Sequence, residues 1–78
     1  MSDHQFSTRD VYLAAFLEFK GVTPHLEKQG QQIVFTFKNG KAHALVNDFN
    51  RGAQVPVADY VSTLKSLRGK MYQAKDGQ

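Results

Sequence analysis

A chain of 78 residues has room for one hydrophobic core and no second domain. It buries only about 60–65% of its unfolded surface, so a thin stability margin is expected. There is no cysteine, which excludes disulfides and thiolate metal sites, and 41% apolar with 22% charged residues argues for a folded domain over a disordered one. The net charge of +3 is unevenly placed, because residues 1–59 balance six basic against six acidic side chains while residues 60–78 hold four basic and one acidic.

Met1 leads into the polar Ser2-Asp3-His4-Gln5, so no secretory signal is expected and residues 1–6 read as a frayed N-terminus. Phe6-Ser7-Thr8-Arg9-Asp10-Val11 then reads as a helix start, with Ser7 as the cap, Asp10 as a short capping-box acid, and Phe6 and Val11 as a hydrophobic staple. Val11, Tyr12, Ala15, Phe16 and Phe19 recur at helical spacing, and Leu13 and Leu17 widen the stripe. This helix should be the most buried. Gly21 and Pro24 stop it. Its near-apolar run, Val11 to Leu17, is far below the roughly 20 residues of a membrane span, so a cytoplasmic protein without membrane contact is expected.

His25-Leu26-Glu27-Lys28 reads as a strand joined by a Gln29-Gly30 turn to the strongest strand in the chain, Gln31-Gln32-Ile33-Val34-Phe35-Thr36-Phe37-Lys38. Ile33, Phe35 and Phe37 alternate onto one face and demand a covering layer. Asn39-Gly40 suits a hairpin, but Ala42, Leu45, Val46 and Phe49 fall at i, i+3, i+4, i+7, so a helix capped by Asn39 and ended by Asn50-Arg51-Gly52 is expected. Pro56 opens a third helix with Val57, Tyr60, Val61, Leu64, Leu67 and Met71 as its apolar stripe. Gly69 interrupts that pattern, and residues 73–78 read as a polar tail after a domain of residues 7–72. The expected fold is α+β, in the order α-β-β-α-α, with three helices packed on a two-stranded β-hairpin whose outer edges stay open.

Chemistry-bearing patterns are sparse. His4, His25 and His43 have no helical pairing and no carboxylate at a zinc-protease offset, and a site built from His25 and His43 would need the fold to join them. No carboxylate pair, serine elbow or phosphate loop is placed by spacing, so no catalysis, cofactor or metal is expected. Lys65, Arg68 and Tyr72 fall within about 60° of one another on the third helix at roughly 100° per residue. With Lys70, which points roughly opposite, they are the candidate nucleic-acid contacts. A helix-turn-helix built from the last two helices is disfavoured by the long Asn50-to-Pro56 join and by Asp59 near the start of the reading helix. Nine aromatics in so small a core leave one or two to form a contact patch. The expected function is therefore a non-enzymatic protein-interaction or self-associating module, binding an unknown protein partner or forming a homodimer. The alternative is a weak electrostatic nucleic-acid binder using the basic C-terminal helix.

Tyr12-Leu13-Ala14-Ala15-Phe16-Leu17, Ile33-Val34-Phe35-Thr36-Phe37, Phe49-Asn50-Arg51-Gly52, Val55-Pro56-Val57-Ala58-Asp59-Tyr60 and Leu64-Lys65-Ser66-Leu67 together resemble a group of short prokaryotic and phage domains of unknown function. The resemblance spans about residues 8–72 and rests on core positions. It implies a fold and carries over no catalytic residue.

Overall fold

The computed structural model describes residues 5–38 and 40–76. The described residues form β1 (Phe6–Thr8), α1 (Val11–Phe19), β2 (His25–Gln29), β3 (Gln32–Phe37), α2 (Lys41–Asn50) and α3 (Val57–Asp76). The strands make one antiparallel sheet in the order β1-β3-β2. It is a small α+β domain, but the sheet has three strands where a two-stranded hairpin was expected. The added strand is β1, drawn from the stretch expected to fray and to open the first helix. Phe6 lies opposite Phe37, Ser7 opposite Thr36 and Thr8 opposite Phe35. β3 therefore has partners on both sides, and the open edges belong to β1 and β2.

Taking Ser7 into β1 removes it from helix capping. Its hydroxyl instead lies 3.2 Å from that of Thr36. Asp10 caps α1, its Oδ1 accepting from the Tyr12 amide at 2.9 Å and the Leu13 amide at 3.4 Å, while Thr8 Oγ1 accepts from the Asp10 amide at 3.1 Å. At the far end the Val22 amide reaches the Leu17 carbonyl and the Gly21 amide the Glu18 carbonyl, which closes the helix in a Schellman motif. α2 ends the same way on Phe49 and Asp48, with Gly52 at φ +82° supplying the left-handed residue that the motif requires. α2 begins from Gly40, which offers no side-chain cap, and the expected Asn39 cap lies outside the described residues.

The hairpin forms, with Gln29 opposite Gln32 and the loop shifted one residue, onto Gly30 and Gln31. Gly30, at φ +63°, holds the first loop position, where a type II′ turn places glycine. Ile33, Phe35 and Phe37 point to the helices and meet Leu13, Ala14, Leu17, Ala42 and Leu67 in one buried core. Phe16 is buried between α1 and α2, 5.4 Å from Phe49. Val34 and Thr36 face the other way, and no helix covers them. They are still buried, at positions of the central strand flanked on both sides by β1 and β2, with the Ser7 hydroxyl against that of Thr36. The shortest dimension of the molecule, 17 Å, is the depth of one sheet and one layer of helices.

α3 runs unbroken through Gly69 to Asp76, past the stop or tail expected there. Pro56 supplies the carbonyl that accepts the first helical bond, from the Tyr60 amide, so it caps the helix instead of opening it. Tyr60, Leu64, Leu67, Met71 and Ala74 form the seam against the core. Val57 and Val61, expected in that seam, lie to one side of it and are exposed, because the apolar stripe is wider than the surface α1 and the sheet can cover.

Candidate interaction surface

α3 crosses α1 with a different kind of contact on each flank. On one flank the Tyr60 hydroxyl donates to the Tyr12 carbonyl at 2.7 Å, in the first turn of α1. Burial raises the Tyr60 phenol above its ordinary pKa, and the nearby Asp10 charge and then Tyr12 push the same way. Two turns further along α3, Arg68 Nη2 donates to the Tyr12 hydroxyl at 3.2 Å while the guanidinium lies 5.7 Å from the Tyr12 ring centroid. Arg68 is exposed, and Tyr12 holds it in one direction.

On the other flank Lys70 Nζ meets Glu18 Oε2 at 3.1 Å. Glu18 stands in the last turn of α1, where the helix dipole disfavours negative charge, so the ammonium offsets that cost. Glu18 Oε1 is enclosed and has no hydrogen-bond partner among the described residues. Of the four candidate contacts, Lys65, Arg68 and Tyr72 therefore share one ridge. Lys70 lies on the opposite flank with its charge engaged.

That ridge runs Val57, Val61, Lys65, Arg68, Tyr72, Lys75 at steps of three or four residues. It carries most of the large apolar surface left open among the described residues: Val57 is 74% exposed, Val61 37% and Tyr72 68%, with Tyr12 of α1 at 51% beside them. The first half of the ridge is apolar and the second half cationic. Arg68, Met71, Tyr72 and Lys75 line a cleft of about 120 Å³. It adjoins a second of about 280 Å³, bounded by Arg9, Gln31, Gln32, Ile33, Met71 and Lys75. Arg9, Lys75 and Tyr12 went unremarked as contacts from sequence. Lys75 was legible in principle, since it continues the Arg68–Tyr72 spacing once Gly69 is read as helical.

The histidines do not converge. His25 lies on the open face of the sheet with Nε2 at 4.0 Å from Glu27 Oε2, whereas His43 sets its ring edge-on to Phe6 at 5.7 Å, on the helical side. His4 lies outside the described residues. No group of three or more histidine or carboxylate side chains forms among the described residues. A depression of about 560 Å³ spreads over the open sheet face with Ser7, Arg9, Glu27, Gln29 and Thr36 in its lining, and among the described residues it brings no second carboxylate to Glu27. No helix of the described residues is long and apolar enough to cross a membrane.

A family model described as a domain of unknown function (DUF5659) matches residues 3–73. No curated protein and no solved structure matches the chain.

Proposed function

The chain belongs to this family of domains of unknown function, and we propose that it is a non-enzymatic interaction module that self-associates through the apolar half of the α3 ridge. The carrying observation is the exposure of Val57 and Val61 on α3 together with that of Tyr12 on α1, which Tyr60 and Arg68 of α3 contact. A twofold contact would set this patch against its own copy, since a closed dimer uses the same surface on both chains. Tyr12 suits that role because its backbone and hydroxyl are already held, by Tyr60 and Arg68, so little freedom is lost on docking. A patch of so few residues supports a weak, concentration-dependent dimer and not an obligate one.

Sedimentation velocity over a wide concentration range tests the reading. The expected result is a mass that climbs from monomer towards dimer for the wild type and stays monomeric for Val61→Asp at every concentration. A wild type that remains monomeric throughout, or a Val61→Asp variant that associates equally well, would overturn it. The other reading, nucleic-acid binding by Lys65, Arg68, Lys70 and Tyr72, is weakened at Lys70 by its pair with Glu18. Lys65, Arg68 and Tyr72 of that set remain together on the ridge.

A further inference from the structure

We propose that the C-terminal half of α3, the β2–β3 hairpin and Arg9 form a groove that binds single-stranded nucleic acid. The two clefts on this side share Met71 and Lys75, so they adjoin along those two side chains between the hairpin and Tyr72. Its lining carries three cations, Arg9, Arg68 and Lys75, and no carboxylate among the described residues. Neither Arg9 nor Lys75 has an ion-pair partner among the described residues. A fourth cation stands next to them: Lys28 Nζ donates to the Lys75 carbonyl at 3.2 Å, which ties the end of α3 to the hairpin. That bond places Lys28 and Lys75 side by side where α3 meets the hairpin.

Charge complementarity identifies a polyanion, and Tyr72 narrows the class. An exposed phenol ring at the rim of a cationic channel offers a stacking platform for an unpaired base, while Gln31 and Gln32 offer amides to its edge or sugar. A duplex hides its base faces and would leave Tyr72 and the Met71 floor unused. An acidic helix needs a broad apolar floor, which Met71 and Ile33 alone do not make. The occupant is a single strand with phosphates at Arg9, Lys75 and Arg68 and one base on Tyr72.

Fluorescence anisotropy with a labelled mixed-sequence DNA 12-mer, and its RNA counterpart, tests this across a salt series. Three phosphate contacts predict a log–log salt slope of about −2. Arg9→Glu with Lys75→Glu should weaken binding at least tenfold and flatten that slope. Lys38→Glu with Arg51→Glu, an equal charge change at two positions that line neither cleft, should move affinity less than threefold. Tyr72→Ala should lose about tenfold with the slope kept, and Tyr72→Phe should restore it. Absence of binding at low salt would overturn the proposal. So would equal effects of the Lys38/Arg51 and the Arg9/Lys75 reversals, equal affinity for a duplex of the same length, or equal competition by a poly-glutamate peptide. Val61→Asp should leave this binding unchanged, so the groove and the self-association surface succeed or fail separately.

Discussion

The two flanks of α3 use similar side chains to opposite ends. Lys70 and Arg68 are cations two residues apart, on opposite sides of the same helix, and each meets a residue of α1. Lys70 meets Glu18, and its charge is spent on a half-buried carboxylate. Arg68 meets Tyr12, a neutral ring that orients the guanidinium and leaves its charge available. Whether a surface cation stabilises the fold or serves a ligand is therefore decided by what the neighbouring helix places opposite it. The sum of charges along α3 does not show the difference.

The comparison breaks most completely at the seam both flanks share. Leu67 is fully buried between them, and Leu67→Ala should cost about 2–5 kcal/mol in urea unfolding. A loss below about 1 kcal/mol would show that the flanks are held independently. Next in size is Lys70→Ala, which strands a carboxylate with one enclosed oxygen and should cost about 1–2 kcal/mol. Arg68→Ala gives up an exposed ring contact and an exposed hydrogen bond to the Tyr12 hydroxyl, together worth about 0.5–1 kcal/mol. Adding Glu18→Gln to Lys70→Ala should recover much of the first loss, and a larger cost for Arg68→Ala than for Lys70→Ala would reverse the assignment of the flanks.

Tyr60→Phe sharpens the open flank, removing the bond to the Tyr12 carbonyl for about 1 kcal/mol. It also has a signature in pH. The folded protein holds the Tyr60 proton more tightly than the unfolded chain does, so this group's contribution is complete below the usual phenol pKa of about 10 and is lost as pH rises through the higher folded value. The gap in urea midpoint between wild type and Tyr60→Phe should therefore narrow above pH 10, and a gap that widens there would refute the assigned cause. The smallest effect is a gain. Gly69 sits mid-helix with open space where a Cβ would point, so Gly69→Ala should stabilise by about 0.5–1 kcal/mol. No gain in thermal melting would mean that α3 bends or frays at that position.

The sequence by itself determined α1, the hairpin, α2 and the existence of α3, together with the core residues Phe35, Phe37 and Leu67. Each follows from periodicity or from a stop signal such as Gly21 or Gly52, and these act between residues a few positions apart. The tertiary structure decided the rest. Three residues are too few to show a strand period, so β1 exists because β3 presents a second free edge, and pairing there moved the cap from Ser7 to Asp10. The histidines gave no site because the sheet separates His25 from His43, and the nucleic-acid candidates divided because the flanks of α3 meet different parts of α1. Ser7 finds Thr36 across 29 residues, Glu18 finds Lys70 across 52 and Tyr12 finds Arg68 across 56. Partners so distant in the chain meet only when packing of the apolar core brings their elements together, and no local pattern encodes which side chain will stand opposite.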